Sequence, residues 1–248
     1  MEKVVRMEKT EHNRTLTGII VFMLLLFVQI ILGKAGQLIA GMIPYRRIDP
    51  YDSFAGISIH HAVLMLTALA IIFVLSKLLK VDFFLQPGDT KRGIKYLALY
   101  TGAFVVISIV VHVIMLVNDQ LPVYDFPLDT RNVLGTLGFQ LLLSGPAEEI
   151  VYRALTITLL TYAFGRSIII KGNLTLEVVL SSLMFAFAHV NWSLDPFVFE
   201  ADLFGVLYAF VLGCIQGIAY QQSISILYPI LMHSFSNVLM VGAGYLFV

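Results

Sequence analysis

The run Asn132-Val-Leu-Gly-Thr-Leu-Gly-Phe-Gln-Leu-Leu-Leu-Ser-Gly-Pro-Ala-Glu-Glu-Ile-Val-Tyr-Arg153 decides how this chain is read. Its first sixteen residues, Asn132 to Ala147, carry no formal charge. Glu148, Glu149 and Arg153 then fall within six positions, and no further charge appears until Arg166. Ionisable groups at bilayer depth are costly, and a protein keeps them where they are paired, functional or both. Outward from this run the chain stays apolar. Uncharged stretches extend over Thr15–Gly33, Ser53–Ser76, Tyr96–Asn118, Val178–Leu194 and Leu203–Val248. Each is near or above the roughly 18 to 20 residues that cross a bilayer as a helix. Mean hydropathy is +0.88, with 58% hydrophobic and 13% charged residues, against about a quarter charged in soluble domains. No stretch alternates polar and apolar residues, which favours helices over barrel strands. The expected fold is all-α, a polytopic helical membrane protein.

Seven transmembrane helices are predicted, near 15–33, 57–76, 96–117, 132–164, 176–195, 203–221 and 227–247. The fourth is too long for one straight crossing at 1.5 Å per residue, and Gly145-Pro146 predicts a kink in it. A re-entrant break there would make the count eight. Residues 1–14 read as a charged cytoplasmic tail, 15–130 as N-terminal helices without a recognisable motif, and 131–248 as the region holding the chemistry. Leu16–Leu32 reads as a retained span, being longer than the apolar core of a cleaved signal peptide. With the N-terminus inside, the cytoplasmic segments hold eleven Lys or Arg and the outer segments four. This places the N-terminus in the cytoplasm of a multi-pass protein of the cell membrane. Net charge is zero, so no nucleic-acid partner is expected. The single cysteine, Cys214, excludes an intrachain disulfide and a cysteine-based zinc site.

On a helix, Glu149 and Arg153 lie four apart on one face, oriented for an ion pair. Glu148 lies about 100° around the axis, on the side of Tyr152, free to point into a cavity as a general base. The competing reading is a charge cluster that only pins helices together. Two further polar groupings bear on the choice. His189 follows Phe185 by four residues, and His233 and Asn237 share a helix face. A lone interior histidine is more often a hydrogen-bonded core residue, and His233 with Asn237 could equally clasp two helices. Together they match the minimum parts for hydrolysis: a base, a water and oxyanion donors. His60, His61 and His112 lack such partners in sequence and are read as interfacial or packing residues.

Glu148-Glu149-xxx-Arg153, Phe185-xxx-His189 and His233-xxx-Asn237, in this order on successive apolar segments, resemble the CPBP intramembrane proteases. That family comprises type II CAAX prenyl endopeptidases and bacteriocin-processing and self-immunity (Abi) proteins. The resemblance covers about 130 to 242. It departs from the family at Ala154, where glycine usually follows the arginine. It implies a helical protease with an intramembrane catalytic cavity, in which Glu148 activates water with help from His189. His233 and Asn237 would stabilise the oxyanion, and Glu149 with Arg153 would support the site. The implied substrate is a membrane-embedded or lipid-modified peptide.

No cofactor is expected to be required. Zinc is the alternative, with Glu148, His189 and His233 as its ligands, but compact H-E-x-x-H spacing is missing and Asn237 suits an oxyanion hole better. Two non-enzymatic readings stand beside the peptidase. One is a membrane scaffold or an immunity or regulatory partner using the same fold. The other is an ion-coupled transporter, which would require two similar halves that the sequence does not contain.

Overall fold

Short polar side chains set several helix starts. Asp89 accepts the backbone N–H of Arg92 at 3.0 Å and opens α3 (Thr90–Val117). Asp129 accepts that of Asn132 at 2.8 Å and opens α4 (Thr130–Phe139). Thr175 opens α7 (Leu176–Phe187), and Asp202 opens α8 (Leu203–Ser223) through the N–H groups of Phe204 and Gly205. Each satisfies donors that a first helical turn leaves unpaired. The computed structural model describes residues 2–194 and 197–248, and it is helical through most of them.

Two long helices precede α3. α1 (Glu2–Met42) is followed by a short turn containing Asp49 and then by α2 (Ala55–Leu79). α9 (Leu227–Phe247) ends the chain. Among the described residues five helical stretches are long and apolar enough to cross a membrane: Asn13–Met42, α2, α3, α8 and α9. Leu16, Ile19, Met23, Leu24 and Phe27 of α1, Leu66 and Phe73 of α2 and Ile109 and Ile114 of α3 are exposed. A continuous apolar exterior of this size suits lipid and would promote aggregation in water. The molecule is a polytopic helical membrane protein, as the apolar runs predict.

Residues 2–14 continue α1 without a break; Met1 lies outside the described residues. Two expectations change. The predicted span 176–195 stops as a helix at Phe187. At about 18 Å that helix is short of a crossing, and a turn and the antiparallel strands β3 (Asn191–Leu194) and β4 (Phe197–Glu200) follow it. Asp195 and Pro196 lie outside the described residues. The long fourth segment neither re-enters nor breaks at Pro146. It runs as α4, a π stretch (Gln140–Ser144), α5 (Gly145–Glu149), a second π stretch (Ile150–Ile157) and α6 (Thr158–Phe164). Pro146 has no N–H and its ring crowds the turn before it. The wider π turn just ahead of Gly145-Pro146 takes up that misfit without ending the helix.

This continuous rod, 130–164, is the centre of the molecule. α1 packs on its end through α6, α2 lies against α5 and both π stretches, α7 and α8 cover the second π stretch, and α9 lies along α5. All eight residues Ile150–Ile157 are buried. Gly145 permits the close approach of α9. A Cβ there would meet the Ser234 hydroxyl at 2.5 Å and the Ile230 carbonyl at 3.0 Å, so a larger residue would push away the helix that carries His233. Gly165, in the left-handed conformation at φ 72°, ends α6 where a side chain would be strained. A small hairpin, β1 (Ile169–Lys171) with β2 (Leu174–Thr175), then leads into α7.

Candidate active site

The adjacent glutamates part as the helical geometry predicts. Glu149 is fully buried. One carboxylate oxygen lies 3.1 Å from Arg153 Nε, an ion-pair contact whose angle is not that of a hydrogen bond. The other accepts Nδ1–H of His233 at 2.8 Å. Arg153, also fully buried, donates through Nη2 to Gln216 Oε1 of α8 at 2.6 Å, and Gln216 Nε2 donates to the Tyr100 hydroxyl of α3 at 3.3 Å. The pair therefore ties the rod to α9, α8 and α3 through one polar chain.

Glu148 points elsewhere. It lines a cavity of about 470 Å³ together with His60, His61, Tyr152 and His189. Its Oε1 lies 3.1 Å from His61 Nε2, and its Oε2 lies 3.6 Å from His233 Nε2. His233 thus sits between the two carboxylates, close to Glu149 and farther from Glu148. It is not among the residues lining the cavity and approaches Glu148 from α9.

His189 is in the turn beyond α7 and not on the helix itself. Its Nδ1 is 2.9 Å from the Phe185 carbonyl. A carbonyl can only accept, so this bond puts the proton on Nδ1 and leaves Nε2 as an acceptor. Phe185 explains the spacing of its motif. Its ring packs edge-on against Tyr152, His189 and His233, at centroid distances of 5.1, 4.7 and 5.9 Å, and the Arg153 guanidinium lies over it at 4.6 Å. One buried aromatic ring therefore sets the spacing of four polar side chains, and only its sequence neighbour His189 hinted at that.

Asn237 shares a face of α9 with His233 as expected. Its Nδ2 donates to Gln140 Oε1 at 2.8 Å and to Ser144 Oγ at 3.0 Å. Both N–H groups are engaged with the first π stretch, and Asn237 does not line the cavity. To serve an oxyanion it must release one of these bonds.

The reading of His61 as a packing residue is corrected. His61 of α2 is bonded to Glu148, and His60 borders the same cavity. The only sequence signal was the doublet itself near the start of an apolar run. Nothing in one chain shows that α2 will lie against α5. Consequently the division at residue 130 does not separate the site from the N-terminal helices. His112 does behave as a packing residue: it is buried, with Nδ1 2.8 Å from the Ser108 carbonyl and its ring against Phe247.

His233 directs Nδ1 to Glu149, and among the described residues no three His, Cys, Asp or Glu side chains gather as metal ligands would. The set Glu148, His189 and His233 does not fit zinc as it stands.

Fold and site together define a class: a helical membrane protein with a carboxylate–histidine cluster opening onto a cavity at the centre of its helices. Residues 130–239 match the family model described as type II CAAX prenyl endopeptidase Rce1-like. The matched segment, an Rce1-like domain consistent with the CPBP family, runs from the start of α4 into α9. No curated protein and no solved structure matches the chain.

Proposed function

We propose that this protein is an intramembrane endopeptidase that hydrolyses a membrane-associated or lipid-modified peptide with water activated by Glu148. The observation that carries the proposal is the position of Glu148. It is the carboxylate of the doublet that faces a cavity, and His189 borders the same space. Its neighbour Glu149 is sealed off by Arg153 and His233.

In the proposed reaction Glu148 takes a proton from water as the water oxygen attacks the scissile carbonyl. The tetrahedral oxyanion is stabilised by N–H donors, the role expected for His233 and for Asn237 once it releases Gln140 or Ser144. His189, its Nδ1–H held by Phe185, offers Nε2 to orient the water. When the C–N bond breaks, the proton held on Glu148 passes to the leaving amine, and the carboxylate is restored. Glu149 and Arg153 hold the rod, and through His233 the helix α9, at the distance this needs. No cofactor enters the reaction.

The excess of Lys and Arg in the loops assigned to the inside supports an orientation with the N-terminus in the cytoplasm of the cell membrane. In that orientation the Glu148 cavity, bordered by Gln29 to Gln37 of α1, His60 and His61 of α2 and the turn after α7, lies toward the non-cytoplasmic half.

The deciding assay is cleavage of a membrane peptide by purified protein. Glu148→Gln should fold and express normally while losing hydrolysis; wild-type turnover by this variant removes the proposal. Peptide binding without hydrolysis by the wild type would favour the scaffold reading. Protein treated with chelator, with its metal content measured on the same sample, should retain cleavage. Loss on stripping and rescue by zinc would replace this mechanism with a metal-centred one.

A further inference from the structure

Among the described residues three histidines give Nδ1 to a backbone carbonyl one turn earlier: His61 to Ile57 at 3.0 Å, His112 to Ser108 at 2.8 Å and His189 to Phe185 at 2.9 Å. In each the carbonyl can only accept, so Nδ1 carries a proton and a neutral ring is left with a bare Nε2. His61 differs from the other two in what its Nε2 meets. It lies 3.1 Å from Glu148 Oε1, and two lone pairs would repel at that distance. A second proton must therefore lie between them. The pair is either imidazolium with carboxylate or imidazole with carboxylic acid.

We propose that His61 is a positioning residue for the reaction, sharing one proton with Glu148 and so setting whether Glu148 can act as a base. With the proton on Nε2, Glu148 is an anion held by a charge-assisted hydrogen bond at Oε1, which leaves Oε2 to take a proton from water. With the proton on Oε1, Glu148 has surrendered its basicity. The surroundings favour the shared state. Both side chains are largely enclosed, at 10% and 18% exposed, and the Phe139 ring packs edge-on against His61 at 4.9 Å. His61 belongs to α2, outside the segment 130–239 that matches the family model, so the site is completed by a helix from the other half of the chain.

This inference rests on Glu148 being the base, and the experiment separates the two. His61→Ala and His61→Gln are compared with wild type and Glu148→Gln for kcat, KM and thermal unfolding in detergent, with His112→Gln as a control of the same local geometry. The glutamine can donate an N–H toward Oε1 but cannot share a proton. Expected is a fall in kcat of about 10²-fold or more for His61→Ala, with KM within about threefold and an unchanged unfolding temperature. His61→Gln should lie between alanine and wild type, and His112→Gln should match wild type. Wild-type kcat in either His61 variant overturns the proposal. So does a loss in His61→Ala that tracks KM or thermal stability and is not relieved by glutamine. Should the alanine variant fail to fold, the glutamine variant alone decides, by whether its kcat falls. An inactive Glu148→Gln beside fully active His61 variants sinks only this inference, whereas an active Glu148→Gln sinks the base itself.

Discussion

Among the described residues two glutamates are buried completely, and they are accommodated in opposite ways. Glu149, at the centre of the rod, is compensated by charge: Arg153 on one oxygen and an N–H of His233 on the other. Glu177, in the first turn of α7, has no cation against it among the described residues. It accepts from neutral groups instead: the Ser167 hydroxyl, Gln221 Nε2 at 3.0 Å, the Ile168 N–H at 3.3 Å and the Thr161 hydroxyl at 3.5 Å. Its place at a helix N-terminus adds the favourable end of the macrodipole. A cavity of about 940 Å³ lies at that end of the molecule, bordered by Thr161, Ser167 and Gln221. It is larger than the one at Glu148 but has no histidine among its described lining residues. Burial of an acid and size of a cavity are therefore poor guides to chemistry here. What distinguishes the Glu148 region is a carboxylate left partly open beside three cavity-lining histidines.

The contrast is most exposed to test in turnover. Glu148→Gln should cost about 10²-fold to 10⁴-fold in kcat, while Glu177→Gln leaves kcat and KM near wild type. Comparable losses in both would mean that the Glu177 end takes part in catalysis and that the contrast is misdrawn.

Stability should separate the two adjacent glutamates next. Arg153→Ala strands Glu149 with a single histidine and should cost about 3 to 5 kcal/mol in detergent unfolding. Glu148→Gln should cost far less. Equal stability of these two variants would deny the ion pair its supporting role.

Glu177→Gln replaces one acceptor oxygen with an amide among donors that need acceptors, so about 1 to 3 kcal/mol is expected. A loss as large as that of Arg153→Ala would show that neutral hydrogen bonds and a helix end anchor a buried carboxylate as firmly as an ion pair does.

Asp49 offers the mildest case, an acid held by neutral donors in the loop before α2. It accepts the N–H groups of Phe54 at 2.7 Å and Ala55 at 2.8 Å and the Ser53 hydroxyl at 3.0 Å. Burial alone would raise its carboxyl, but these donors outweigh it and hold the group below its ordinary value. A depressed folded-state value stabilises above the unfolded-state value and loses that contribution as pH falls through the folded one. Asp49→Asn should therefore cost about 1 kcal/mol at neutral pH, and the gap to wild type should narrow on acidification. A gap that is constant with pH would show that Asp49 contributes shape and not charge.

Much of this molecule was legible in one dimension. Uncharged runs of bridging length specify lipid-facing helices because hydrocarbon admits few other backbone arrangements. The 3.6-residue period is enough to send Glu148 and Glu149 to different surroundings and to pair Glu149 with Arg153. The order of three short motifs was enough to indicate the family of the C-terminal half. Other features depended on how helices meet. Pro146 reads as a kink, yet a π stretch absorbs it because the rod is gripped on several sides and its backbone groups can re-pair locally. The apolar run at 176–195 looks long enough to span, but hydropathy does not record where a helix yields to a turn and strands.

His61 shows the limit most clearly. Its neighbours in sequence are those of a packing histidine, and its local bond to Ile57 matches that of His112 to Ser108. Composition, period and motif determined that this protein lives in a bilayer and where Glu148 points. Only the packing of α2 against α5 decided that a histidine 87 positions away in sequence would meet that carboxylate. Helix–helix contact is set by side chains from separate segments fitting one another, and no single segment encodes its partner.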